Sequence, residues 1–302
     1  MHIPDGFLST PVWASLDLAA VPAVGYFARK ARSDIEESRI PLLGVMGAFV
    51  FAAQMINFPV GLGTSGHLLG GALLACLLGP ASAAIVMTAI LVIQALVFQD
   101  GGILALGANV LNMAVIGVLA GYLPYRLFGA GRRKKLALFA GGLLSVMASA
   151  LAALAQLAVS GVPIRPSLAG VSLVLFFVSG VVEGVITVAV AQAVENLNPG
   201  WLARAEASWK PGVAFFGGLA IALASLGVLI ASQAPDGIGK ILEQVGIASH
   251  PAGLLAAPLA GYEVSWLPGG WLRKAMAGLA GLVAAGLACL ALGRFLARRR
   301  SA

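Results

Sequence analysis

Residues 132–159 read RRKKLALFAGGLLSVMASALAALAQLAV: four basic residues, then 24 positions without a charge. Crossing a bilayer core takes roughly 20 mainly apolar residues in a helix. This run has the length, and the basic cluster at its start marks a cytoplasmic side, because loops rich in Lys and Arg stay inside. Outward from here the pattern repeats. Apolar stretches fall near 11–28, 41–58, 67–82, 83–98, 103–127, 168–194, 212–232 and 275–296. Together with 136–159 they predict an all-α polytopic membrane protein of about nine transmembrane helices. The third and fourth stretches are short and share a Gly79-Pro80 turn.

Composition agrees. Of 302 residues, 60% are hydrophobic and only 10% charged, with mean hydropathy +0.96; a soluble domain carries about 25% charged residues. If the amino terminus is placed outside, the segments around 29–39, 126–135, 204–210 and 294–300 fall inside and hold 15 of the 19 basic residues. The expected topology is therefore amino terminus outside and carboxyl terminus cytoplasmic. The net charge of +7 is mostly this topology signal. The short GRRKK at 131–135 gives no basic soluble face of the kind that binds nucleic acid. Cys76 and Cys289 both lie in apolar runs, as small packing residues rather than a disulfide framework. The first residues lack a basic-then-apolar leader, so they are expected to belong to the working molecule.

The polar stretch ENLNPGWLARAEASWKPG (195–212) has two prolines and reads as a linker. It divides a transmembrane bundle, residues 1–200, from a two-helix accessory region, residues 201–302, whose outside segment runs from about Gln233 to Lys274. In the second span Gly44, Ala48 and Ala52 recur every four residues, and Gly71 and Ala75 do so in the third. Such ridges let helix backbones approach in lipid. Most are packing within the bundle; the Gly44 ridge is a candidate surface for a second membrane subunit.

The chemistry starts at MHIPDG (1–6). His2, His67 and His250 are the histidines of the chain, and the expected topology puts His2 and His67 on the same side. A lone surface histidine is ordinarily a solvated or capping residue; His250, in the outside loop, could capture metal ahead of transfer, but solvated surface is the favoured reading. Met1-His2 offers more. The free amine, the His2 backbone amide and the His2 imidazole are three nitrogens in adjoining chelate rings, and they leave one corner of a plane for an outside ligand such as His67. Square-planar nitrogen coordination suits Ni(II) or Cu(II) better than tetrahedral Zn(II). Pro4 and Gly6 fit a turn that folds the terminus back.

Asn109 and Asn112, three apart, are placed to hydrogen-bond a folded-back terminus or to bond between helices. Gln94, Asp100 and Gly101-Gly102 lie in the same outer region, and Asp5 either adds charge near the site or caps the turn. Metal ligands need such an outer ring to orient them. Glu183, the deepest carboxylate, could be a hydrogen-bond acceptor in the ring around the ligands or a proton site, but the favoured reading is a paired structural group.

MHIPDGFLS, then TSGHLLGG, then FQDGGILALGANVLNMAVIGVLAGY resemble the CbiM/NikM family, the membrane substrate-binding component of nickel/cobalt energy-coupling-factor transporters. With the intervening spans the likeness covers most of 1–195. It implies metal ligation by the Met1 amine, the His2 amide and imidazole, and His67. The segments APDGIGKILEQVG and APLAGYEVSWLPG resemble the small accessory component of these systems, fused here; its usual PDGLE reads PDGIG. The chain is thus expected to be a transporter subunit and not an enzyme. Its expected cargo is Ni(II) or Co(II), with planarity favouring nickel, and its setting the cell inner membrane. No lysine is followed by Ser or Thr, so a phosphate-binding GxxxxGK[ST] loop is missing. The resemblance accordingly implies a transmembrane coupling subunit and two cytoplasmic ATPases as partners. The rival classes are an intramembrane metalloprotease, which lacks HExxH, a proton-coupled secondary carrier using Glu183, and a non-transporting metal-binding membrane protein.

Overall fold

The computed structural model describes residues 1–197, 210–245 and 257–298. His250 and most of the stretch read as a linker lie outside the described residues. The chain is built from helices α1 (Thr10–Asp34) and α2 (Ile40–Gln54), a hairpin of β1 (Phe58–Gly61) and β2 (Thr64–Gly66), and helices α3 (Gly71–Leu78) and α4 (Pro80–Ile93). Then follow α5 (Leu106–Asn109), α6 (Val118–Phe128), α7 (Lys134–Val159), α8 (Pro166–Leu197), α9 (Lys210–Leu226), α10 (Gly237–Gln244) and α11 (Gly270–Arg298). The helical path continues from α4 through a π turn over Gln94–Phe98, and a second π segment, Val110–Gly117, joins α5 to α6.

Among the described residues seven helices are long and apolar enough to cross a membrane: Thr10–Asp34, Pro80–Phe98, Leu106–Phe128, Gly131–Val159, Pro166–Leu197, Lys210–Leu229 and Gly270–Arg298. The stretches read as spans at 41–58 and 67–82 are built differently. α2 stops after 15 residues, about 22 Å of helix. The antiparallel hairpin pairs Phe58 with Gly66, and residues 67–70 then enter the bundle as irregular chain before α3, which has only eight residues. Irregular backbone is tolerated at such depth where protein rather than lipid surrounds it, and Thr64, Ser65, Leu68 and Leu69 are buried. Gly70 (φ +80), in the left-handed conformation, starts α3, and Gly79, extended at positive φ (+82), joins it to Pro80, the first residue of α4.

α2 buries 13 of its 15 residues, the mark of a helix apolar on every side and therefore central. Its small residues face α11. A Cβ on Gly47 would lie 2.5 Å from Cys289 Sγ, one on Gly44 would strike Leu290, and Gly281 of α11 lies against Phe51 and Phe98. α9 contributes Phe216, whose ring centroid is 5.1 Å from that of Phe49. The Gly44-Ala48 ridge is therefore covered by α11 of the same chain, and a second subunit has no access to it. Both cysteines are free and buried, as packing residues. Lys134 pairs with Glu195 and ties the start of α7 to the end of α8.

Candidate metal centre

The first residues fold into the bundle: Met1, His2 and Ile3 are 8%, 5% and 0% exposed. Backbone edges hold them there. Ile3 N–H donates to Asn109 Oδ1 at 2.8 Å, while Asn109 Nδ2 donates to the Ile3 carbonyl at 3.0 Å. Gly102 N–H donates to the same carbonyl at 2.9 Å. Asp5 receives the N–H groups of Ile103 (3.0 Å) and Leu104 (2.8 Å), so it fastens the loop to the terminus and its carboxylate does not face the nitrogen donors. Gly101 and Gly102 make the approach possible. Gly101 has φ +95, and a Cβ on Gly102 would sit 2.5 Å from Asp5 N.

The donors converge. Met1 N lies 2.7 Å from His67 Nε2, and the His2 and His67 rings stack with centroids 5.4 Å apart and planes 15° from parallel. His67 Nδ1 faces the Leu68 carbonyl at 3.0 Å. A carbonyl only accepts, so Nδ1 carries the proton and the Nε2 lone pair is turned to the amine. His2 meets Gln94 Oε1 through Nε2 and Asp100 Oδ1 through Nδ1, each at 3.2 Å. Among the described residues no group of three His, Cys, Asp or Glu side chains could hold a metal ion.

The electrostatics favour a neutral imidazole flanked by carboxylates. Burial, then the charged terminus, then His2 push the His67 pKa down to about 3. Burial would raise Asp236, but the terminal ammonium, which donates to its Oδ2 at 2.5 Å, overrides this and lowers it. Burial likewise opposes Asp100, yet His2 and a 2.5 Å hydrogen bond from Tyr262 hold it below the ordinary carboxylate range. Burial and then Asp100 raise Tyr262, so its hydroxyl remains a donor.

A polar frame surrounds these groups. Glu183 of α8 accepts the Leu69 and Gly70 N–H groups, each at 2.7 Å, just beyond His67. Gln54 Nε2 donates to the Leu69 carbonyl at 2.7 Å, and Gln94 Nε2 donates to Gln54 Oε1 at 2.9 Å. Gln94 and Asn109 thus touch residues 1–3. Asn112 does not: it exchanges two amide hydrogen bonds with Gln156 of α7, at 2.7 and 2.8 Å. The π segment beginning at Val110 explains the split, since its wider turn no longer returns residue i+3 to the face of residue i.

Sequence reasoning did not single out Asp236 or Tyr262. Asp236 caps α10 by accepting from Gly239 N–H at 2.7 Å. Its neighbours clamp the His67 loop, with Ser65 N–H donating to the Pro235 carbonyl at 2.8 Å and Ser65 Oγ to that of Ala234 at 2.7 Å. The cap could be read locally from Asp-Gly before an apolar helix. Its meeting with residue 1 carried no local signal.

The chain is a multi-pass helical bundle with nitrogen groups buried among its helices, and comparison with known proteins identifies the class to which it belongs. Residues 2–201 match the CbiM family, described as the cobalt uptake substrate-specific transmembrane region. The fused nickel transport protein NikMN of Rhodobacter capsulatus is 30% identical over 347 aligned positions, covering 99% of each chain. The probable fused nickel transport protein LarMN of Lactiplantibacillus plantarum is 34% identical, over 89% of this chain and 90% of the relative. A crystal structure of a transition metal transporter is 36% identical with TM-score 0.59, over 65% of this chain and 93% of that one. This chain belongs to the CbiM/NikM family and carries a fused C-terminal part. It is a multi-pass protein of the cell membrane, and metal uptake is the activity of its family.

Proposed function

We propose that the chain captures Ni(II), in preference to Co(II), at the outer face of the membrane, as the substrate-binding component of an ATP-driven energy-coupling-factor transporter. The ligands in this reading are the Met1 amine, the His2 amide and imidazole, and His67. The observation that carries it is the 2.7 Å separation of Met1 N and His67 Nε2. On a metal about 2.0 Å from each nitrogen, that separation would subtend about 85°, which fits neighbouring corners of a square plane or an octahedron better than a tetrahedral pair, which would stand about 3.3 Å apart. The amide and imidazole of His2 then complete the plane from the same terminus. In this reading the His2 imidazole is the ring donor, with Asp100, which faces its Nδ1, and Asp236 beside it as counter-charges.

The distribution of basic residues supports the amino terminus lying outside, and with it the site. The lack of a GxxxxGK[ST] loop supports ATP hydrolysis by two partner ATPases, reached through a coupling subunit. Glu183 with both oxygens on backbone N–H groups speaks for a framework role rather than that of a secondary carrier's proton site.

Purified protein is expected to bind about one Ni(II) per chain, diamagnetic and yellow-orange as a square-planar complex is. His67→Ala should lower the affinity by about a hundredfold or more, beyond the usual cost of losing an outer partner of a ligand, while the protein stays folded. Unchanged nickel content in that variant overturns the reading. Cellular uptake should stop when the ATPase partners are removed.

A further inference from the structure

We infer that Glu183 is a positioning residue for the metal corner occupied by His67, acting from the middle of α8 through the loop it holds; this rests on the ligand set proposed above. Glu183 is 1% exposed, and among the described residues it has no ion-pair partner. A carboxylate so placed is costly inside a membrane unless both oxygens are satisfied. Oε2 takes the Leu69 N–H and Oε1 the Gly70 N–H, both at 2.7 Å, the short distance of charge-assisted bonds. These donors are consecutive amides at the mouth of α3, two and three residues after His67. An ionised carboxylate is the side chain that accepts two such donors at once, since an amide would turn its own N–H2 toward one of them.

The same short segment is gripped from the other side. Gln54 of α2 donates to the Leu69 carbonyl, Gln94 donates to Gln54, and the Gln94 oxygen faces His2 Nε2. Leu69 therefore has its N–H held by α8 and its carbonyl by α2, and one continuous hydrogen-bonded line runs from Glu183 through Leu69, Gln54 and Gln94 to His2. The line ends at one proposed ligand and passes two residues from the other, so it sets the spacing between His2 and His67. Gly70 leaves no slack: its φ is +80, and a Cβ there would lie 2.6 Å from Val50 Cγ1. A loop in which His67 was free to swing would offer the terminus three planar nitrogens and a wandering fourth. Glu183 makes the fourth one a fixed corner.

The test is a double-mutant cycle between Glu183→Gln and His67→Ala, read by nickel titration and by the ligand-field spectrum of the loaded protein. Glu183→Gln alone should weaken nickel binding about tenfold to a hundredfold, the usual effect of losing an outer partner of a ligand. Its band should move to longer wavelength, toward that of His67→Ala, as water replaces imidazole at the corner. In the His67→Ala background Glu183→Gln should cost nothing further. A lower melting temperature with an unmoved spectrum, or an equal loss of affinity in both backgrounds, overturns the inference, because each is what a merely structural carboxylate gives. If Glu183→Gln does not fold, Gln54→Leu breaks the other grip on Leu69 and enters the same cycle with the same two readings. Should His67→Ala itself leave affinity and spectrum unchanged, the proposed ligand set fails and this inference with it. An additive cycle on a His67-dependent site fails the inference alone.

Discussion

The part of the molecule up to residue 197 and the part from residue 210 onward contribute to the candidate metal centre in different ways. The first holds every proposed ligand, Met1, His2 and His67, together with Gln94, Asn109 and Glu183, which brace them. The second holds no proposed ligand among its described residues, yet it reaches into the centre at two points. Asp236 takes the terminal ammonium, and Tyr262 donates to Asp100, which in turn faces His2. It is also no loose appendage, since α11 lies in the small-residue groove of α2 and α9 packs on the same helix. The difference teaches that the proposed ligands come from one stretch of chain, whereas the hold on them is shared between both, with the second adding a counter-charge at the terminus and a hydrogen bond to Asp100. Changes in the first part should alter what the metal sees, and changes in the second should alter how firmly the terminus is kept.

That contrast can be broken by graded substitution. Asp236→Asn keeps the helix cap, because Asn serves as well as Asp there, but removes the charge facing the amine. It should weaken nickel binding about tenfold, the lower end for outer partners of ligands, and leave the spectrum of bound nickel unchanged. A shifted spectrum would make Asp236 a ligand and erase the division between the two parts. Tyr262→Phe should act more mildly, lowering affinity severalfold through Asp100 and His2, again with an unaltered spectrum. An effect as large as that of His67→Ala would place the second part among the determinants of ligation.

The smallest expected effect is on the metal-free protein. The His67 pKa falls from 6.5 in the unfolded chain to about 3 in the folded one. Between those values the unfolded state binds the additional proton, so stability decreases as pH falls from 6.5 toward 3, and above 6.5 His67 contributes no pH dependence. Thermal unfolding in detergent should therefore show a steeper loss between pH 6.5 and 5 for the wild type than for His67→Ala. Equal slopes would mean that burial does not hold His67 neutral.

Much of this was legible in the sequence, for physical reasons that differ by element. Long uncharged runs specify membrane helices whatever surrounds them, and 136–159 falls within a helix from Lys134 to Val159. The three nitrogens of Met1-His2 are adjacent, so proposing them as donors needs no knowledge of the fold, and the structure places Met1 N beside His67 Nε2. Three features were not readable. The stretch 67–82 has the hydropathy of a span, but its glycines spend the first residues on a loop and leave an eight-residue helix. Asn109 and Asn112 look alike at α-helical spacing, and only the π segment separates one at the terminus from the other on Gln156. Asp236 meets an atom 235 residues away and Tyr262 one 162 residues away; their local sequence announces a cap and an aromatic turn, and nothing of their partners.

The central claim is that the amino terminus is itself a ligand, and it is tested most directly by blocking that terminus while leaving every side chain in place. The measurement is nickel affinity and nickel uptake for a chain carrying one uncleaved residue before Met1, beside the same chain with a free Met1. The extra residue turns the Met1 amine into an amide and moves the true amine outward, where it competes with His67 for the fourth corner. Loss of tight binding and of uptake, with His2 and His67 both intact, is the predicted result. A chain so extended that binds nickel with wild-type affinity and takes it up at the wild-type rate would contradict the terminal-amine site.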